Sequence, residues 1–361
     1  MSEVDQYQTI HQIVKAARQR LDKFLWDYLI GGTETETTLK RNRIAIDSRA
    51  LRSKVLNDVS QIDTSGSLLG QSLDIPVLLA PIGRLQEFEE GGGASVAIAA
   101  KEAGVMSIAS SVCEPSLEEI AAASDAPKIY QLYVNFDADA VDKIVQRVID
   151  NNYVGFCLTV DTAVVSRRER DIAKRVMMTS KRNTSAISYR AALNWSDIAR
   201  IRDKFDIPLI IKGINRVDDA VKAVQHGVDV VYVSNHGGRQ LDQGPGALDL
   251  LPGIVAEIKG KAEIVIDGGF YRGTDIVKAI AMGADAVGLG RLEAWAMAAG
   301  GAPAVVQCLN ILRAEIIEVL SLCGVSSFSE LDESFVTEAQ PVVPPDVFSA
   351  FPLLSLEDEG Y

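Results

Sequence analysis

Three histidines occur in the chain, and one of them has neighbours suited to chemistry. His11 lies on a polar N-terminal stretch and is expected to be solvated. His226 precedes Gly227, where a helix-end role is the simpler reading. His236 stands between Asn235 and Gly237-Gly238-Arg239. Imidazole is the side chain best matched to proton transfer near neutral pH, so His236 is the candidate base. Asp161 can orient that ring and stabilise its charged form, and Arg239 suits a substrate carboxylate. A second group pairs Asp267-Gly268-Gly269 with Gly290-Arg291. Glycine lets a backbone approach an anion closely and arginine offers paired donors, which points to a bound phosphate. Turning the chain is the other role open to these glycines.

The elements that must position these residues follow from a repeating pattern. Short apolar, β-branched runs occur at Ile75–Ala80, Val105–Ala109, Lys128–Leu132, Val154–Val160, Pro208–Ile211, Val228–Val233, Glu263–Ile266 and Ala286–Leu289. Helical stretches lie between most of them, among them Ala94–Ala103, Ala138–Asn151, Val217–Gln225 and Thr274–Met282. Continuous apolar strands alternating with amphipathic helices imply a parallel sheet covered on both faces. Eight repeats favour a closed (β/α)8 TIM barrel of the α/β class. Such barrels build their sites where the strands end, and here those ends are polar. They carry Pro81-Ile82-Gly83, Ser110, Gln131 and Tyr133, Thr159 and Asp161 followed by Arg167-Arg168, Lys212, Ser234, Asp267 and Arg291. Residues 1–74 read as an N-terminal helical addition, with one helix expected over 9–30 and no long period over 39–74. The barrel takes 75–331, with an inserted loop after its fourth strand. Residues 332–361 form a Pro-rich acidic tail, expected to run extended over the surface or a neighbouring subunit.

Composition narrows the function. The proportions, 47% hydrophobic and 24% charged, are those of a globular protein, and the net charge of −13 would repel nucleic acid and anionic membranes. Four cysteines form no C-x-x-C pair and no zinc-ligand spacing with histidine. No apolar leader segment and no membrane-length run is seen, so a cytoplasmic protein is expected.

The nine residues Ser234-Asn235-His236-Gly237-Gly238-Arg239-Gln240-Leu241-Asp242 resemble the active-site signature of the FMN-dependent 2-hydroxy acid oxidases and dehydrogenases. Gln131-Leu132-Tyr133, Leu158-Thr159-Val160-Asp161-Thr162, Arg167-Arg168-Glu169, Ile211-Lys212-Gly213 and Asp267-Gly268-Gly269 extend the likeness from Trp26 to about Leu331. The resemblance implies FMN across the barrel mouth. Pro81, Ile82, Gly83, Ser110, Gln131 and Thr159 would contact the flavin ring. Lys212 would stabilise the reduced ring, Ser234 and Asp267 would meet the ribityl chain, and Gly268, Gly269, Gly290 and Arg291 would hold the phosphate. His236 would be the base, paired with Asp161. Arg168 and Arg239 would bind the carboxylate with help from Tyr28, and Tyr133 would bond the substrate oxygen. A small 2-hydroxy acid, oxygen or another electron acceptor, and a homo-oligomer (a tetramer in this family) are implied as partners.

The chain departs from the family pattern in several places. Tyr271 stands where an arginine normally meets the phosphate, so weaker FMN retention, or a phosphate held mainly by Arg291, is expected. Val112 replaces a residue often aromatic, and Gly83 stands where oxidases often carry alanine. These departures leave two other functions open: a tailoring enzyme for a larger 2-hydroxy acid or related metabolite, and a catalytically weakened flavin-binding protein.

Overall fold

A computed structural model describes residues 6–174 and 189–354 of the chain. Eight parallel strands close into a barrel: β4 (Val77–Leu79), β5 (Met106–Ser110), β6 (Lys128–Leu132), β7 (Gly155–Thr159), β8 (Leu209–Ile214), β9 (Val230–Val233), β10 (Glu263–Asp267) and β11 (Ala286–Leu289). Each lies within one of the apolar runs or within a few residues of it. Three short strands, β1 (Arg49–Leu51), β2 (Gly66–Leu68) and β3 (Gln71–Leu73), precede them. Nearly every barrel residue is buried, which is why the runs are continuously apolar rather than alternating. Leu78, Met106, Ile108, Ile129, Cys157, Ile210, Val230, Tyr232 and Val265 fill the barrel interior. A larger apolar layer joins the outer face to the helices. The helix Ala138–Asp150 shows how this works: Val141, Val145 and Val148 recur on its inward face, and Asp137 caps its first turn through Ala140 N. A cap of this kind stabilises a helix by about 1 kcal/mol.

Strand register decides which side chains meet at the rim. Ser110 lies opposite Gln131, Thr159 opposite Lys212, and Asp267 opposite Gly288. β8 carries an irregularity between Lys212 and Ile214, centred on Gly213 at φ +110°. A Cβ on Gly213 would fall 2.7 Å from the Asp161 Cβ, so glycine there makes room for Asp161.

The N-terminal region differs from the sequence expectation. The helix expected over 9–30 is two helices, α1 (Ile10–Arg20) and α2 (Lys23–Ile30). Asp22 breaks it: its backbone is extended and its carboxylate accepts from Phe24 N and Leu25 N at 2.8 and 2.7 Å. Residues 39–74, read as lacking a long period, hold most of an eleven-residue helix, α3 (Thr37–Asp47). Its buried face mixes Thr38, Asn42 and Arg43 with Leu39, Ala45 and Ile46, so polar residues interrupt the apolar period. His11 is buried rather than solvated, with Phe351 edge-on at 5.7 Å, and burial pushes its pKa down.

The tail is held against its own chain. β12 (Val336–Glu338) pairs antiparallel with β1, and Phe348 stacks on Trp26 at 5.8 Å. Part of the long loop after β7, residues 175–188, and the last seven residues of the tail lie outside the described residues. Among the described residues no helix is long and apolar enough to cross a membrane.

Candidate active site

The loop after β9 turns through three consecutive left-handed residues, His236, Gly237 and Gly238, at φ +59°, +62° and +75°. A Cβ on Gly237 would sit 2.8 Å from Arg291 Nη1, and one on Gly238 would sit 2.5 Å from Leu39 N. Strain and crowding therefore both require glycine after the histidine. The turn presents the imidazole to a cavity of about 500 Å³ at the C-terminal mouth of the barrel. His236 Nδ1 lies 3.0 and 3.2 Å from the two Asp161 oxygens, and Nε2 lies 3.3 Å from the Tyr133 hydroxyl. An ionised carboxylate only accepts, so the Asp161 contact puts a proton on Nδ1 and leaves Nε2 as the acceptor of the neutral ring. Burial, then the nearby Asp161 charge, pushes the Tyr133 phenol up, which keeps it a neutral donor.

Tyr28 gathers three guanidinium groups around its ring: Arg239 at 4.8 Å, Arg84 at 5.3 Å and Arg168 at 5.9 Å. Arg239 donates to the carbonyls of Tyr28 and Gly31 at 2.6 and 2.9 Å. Burial and the neighbouring Arg168 charge pull Arg239 down to about 9. Arg84 is paired with Glu87. Among the described residues neither Arg168 nor Arg239 is ion-paired with a carboxylate. A half-buried cation without a counter-charge carries a desolvation cost, and an anionic ligand would relieve it.

Beneath the cavity a buried polar row crosses three strands. Ser110 Oγ donates to Gln131 Oε1 at 2.9 Å, and Gln131 Nε2 donates to Thr159 Oγ1 at 2.8 Å. Lys212 Nζ donates to Asp267 at 2.6 Å and Ser234 at 2.7 Å, and rests over the Tyr232 ring at 4.5 Å. Ser234 in turn donates to Asp267 and accepts from the His236 amide, which ties this row to the imidazole loop. Pro81, Ile82 and Gly83 form the opposite wall. A Cβ on Gly83 would come within 2.7 Å of the Val112 side chain, so the two small-residue departures are packed against each other.

The other end of the cavity is lined by Gly268, Gly269, Tyr271, Gly290 and Arg291. Gly268 and Gly269 have φ +112° and +89°, and a Cβ on Gly290 would meet nothing within 4 Å. Arg291 donates to the carbonyls of Leu29 and Gly31 at 3.0 and 2.9 Å and is not ion-paired among the described residues. Burial pushes its pKa down. Tyr271 is buried among aromatics, 5.3 Å from Trp295 and 5.5 Å from Phe351, with the Arg43 guanidinium 5.5 Å over its ring.

Every candidate residue thus lies at one rim. Pro81, Ile82, Gly83, Tyr28, Tyr133, Arg168, Lys212, His236, Arg239, Asp267, Gly268, Gly269, Tyr271, Gly290 and Arg291 line the cavity. Ser110, Gln131, Thr159, Asp161 and Ser234 support it from behind. Sequence reasoning assigned no role to Asn42, Arg84, Arg190 or Asp242. Asn42 exchanges hydrogen bonds with Asn235 at 2.9 and 2.7 Å. Asp242 accepts from Thr35 Oγ1 at 2.6 Å and Thr38 N at 2.8 Å, fastening the imidazole loop to the N-terminal segment. Asp242 closes the nine-residue signature, which was the available signal for it.

Comparison with known proteins decides the family. The FMN-dependent dehydrogenase family matches residues 17–338. An L-lactate oxidase from Nostoc sp. is 37% identical over 89% of this chain and 95% of its own. Glycolate oxidase from Spinacia oleracea is 33% identical over 93% and 95%. The chain belongs to the FMN-dependent dehydrogenase family. A mandelate oxidase variant solved with a C4a-OH-FMN adduct superposes with TM-score 0.84 at 33% identity, covering 92% of this chain and all of that one. As a member of this family of 2-hydroxy acid oxidases and dehydrogenases, the protein is an oxidoreductase whose cofactor is FMN. The cavity fits that group. It offers amide, hydroxyl and amine groups around one end, and at the other an open glycine cradle beside a buried guanidinium that lacks a carboxylate partner. The fit is thinner at the phosphate end, where Tyr271 adds a hydroxyl but no charge.

Proposed function

We propose that the enzyme oxidises an (S)-2-hydroxy acid to the 2-oxo acid, with His236 as the base. One observation supports this most: an imidazole held between Asp161 and Tyr133 faces the same cavity as two arginines that have no acid partner among the described residues. His236 Nε2 takes a proton as the C2 carbon becomes a carbonyl, and the Asp161 carboxylate stabilises the imidazolium that results. Bound FMN would accept the two electrons and the second hydrogen released. Arg168 and Arg239 hold the substrate carboxylate, and Tyr28, against which both are stacked, fixes their positions. The Tyr133 hydroxyl donates to a substrate oxygen. Ser110, Gln131, Thr159 and the Pro81–Gly83 backbone hold the flavin ring, and Lys212 keeps a positive charge beside it. Ser234 and Asp267 meet the ribityl chain. Gly268, Gly269, Gly290 and Arg291 hold the phosphate.

A larger biosynthetic 2-hydroxy acid is the second reading. It rests on Val112, which lines the cavity and is 42% exposed, and so leaves side-chain room. Both readings meet one experiment. The FMN-loaded protein is mixed without oxygen with lactate, mandelate and longer 2-hydroxy acids. Bleaching of the flavin band is expected with at least one, and bleaching only by the bulkier acids favours the second reading. No bleaching with any of them defeats the proposal. Reoxidation with oxygen or a quinone then identifies the acceptor.

A further inference from the structure

One cavity cation is left over by these assignments. Arg291 answers the phosphate, Arg168 and Arg239 answer the carboxylate, Lys212 is paired with Asp267, and Arg84 with Glu87. Arg190 also lines the cavity. Its guanidinium lies 5.1 Å over the Tyr133 ring, and its Nε donates to Asn135 Oδ1 at 2.5 Å. No carboxylate among the described residues is ion-paired with it, and burial pulls its pKa down. The Tyr133 hydroxyl is 3.3 Å from the base, so Arg190 stands about one aromatic ring from where C2 must lie, at the reacting end and away from Arg291. Half-buried against a neutral ring and a neutral amide, it has the donors to take a planar anion in a two-point contact.

We infer that the preferred substrate carries a second carboxylate at the end of its side chain, received by Arg190. The substrate class is then a 2-hydroxy dicarboxylic acid. This rests on the proposed oxidation at His236 for its chemistry, but on Arg190 alone for its selectivity.

The test separates binding from turnover. The FMN-loaded protein is titrated calorimetrically with 2-oxoglutarate and with 2-oxopentanoate, which match in chain length and lack the hydrogen to be removed. The dicarboxylate is expected to bind about tenfold tighter or more. Arg190→Gln, which keeps a group able to bond Asn135, should bring the two to near equality and leave 2-oxopentanoate unchanged. Equal binding in the unaltered protein, or a preference that survives Arg190→Gln, overturns the inference. Anaerobic flavin reduction by (S)-2-hydroxyglutarate and (S)-2-hydroxypentanoate completes the test. Reduction by both at the same efficiency overturns the inference and leaves the oxidation standing. Tighter binding of the dicarboxylate with no reduction by either acid supports the Arg190 assignment and counts against the oxidation.

Discussion

At the imidazole end of the cavity the polar side chains are linked to one another through the barrel; at the glycine end one guanidinium rests on the carbonyls of α2. His236, Asp161, Tyr133, Ser234, Asp267 and Lys212 form one connected set spread over five strand ends. Each member is held by another, so the geometry that the proposed proton transfer needs is already in place. Arg291 is held by the carbonyls of Leu29 and Gly31 and by the Tyr271 side chain, which is itself bound into an aromatic cluster. On the proposed roles, the proton-transfer end is organised by the strands, and the phosphate end carries one guanidinium. The two can be changed separately.

The strongest way to break this division is at the base. His236→Gln should lower the rate of flavin reduction about 10²- to 10⁴-fold, the range of a lost general base, while FMN stays bound. Stopped-flow absorbance reads both, and a loss of flavin together with rate would mean that the two ends are not independent. A smaller effect is expected at the other end. Tyr271→Arg supplies a second cation and should tighten FMN about tenfold, as one charge-assisted contact does, leaving the reduction rate of the saturated enzyme unchanged. Fluorescence titration of the FMN-free protein measures it, and unchanged affinity would mean that Arg291 suffices. The FMN-free form of that variant should also melt lower, because Arg43 and Arg291 already crowd the position.

The smallest effect is expected at the link between the imidazole loop and the N-terminal segment. Hydrogen bonds from Thr35 and Thr38 outweigh burial and hold the Asp242 carboxyl down at about 2. A depressed carboxylate stabilises the fold above its unfolded pKa of about 3.9 and loses that contribution as pH falls toward the folded value. Asp242→Asn should thus cost about 1–2 kcal/mol in urea unfolding at pH 7, and the difference from the parent should shrink between about pH 4 and pH 2. A difference that does not change over that interval would place the effect in packing rather than charge.

These differences also mark what a sequence can reveal. The barrel strands are legible because burial on both faces makes each run continuously apolar, and the rim residues follow from where those runs end. α3 is not legible, because Thr38, Asn42 and Arg43 break up the apolar residues on the face it buries. The break at Asp22 is a local capping event inside an otherwise apolar helical period. Asn42 meets a partner 193 residues away, and Arg190 reaches the cavity across a long loop. Neither relation leaves a periodic trace. The signature around His236 was legible because its glycines answer to local backbone geometry.

The carbonyls at the end of α2 have one more consequence. Leu29 is bonded by a residue 262 positions later in the chain. At a synthesis rate of roughly 5–20 residues per second, that partner emerges from the ribosome about 10–50 s after the helix it must meet. The bond that ties α2 to the end of the last barrel strand is thus a late contact of high contact order.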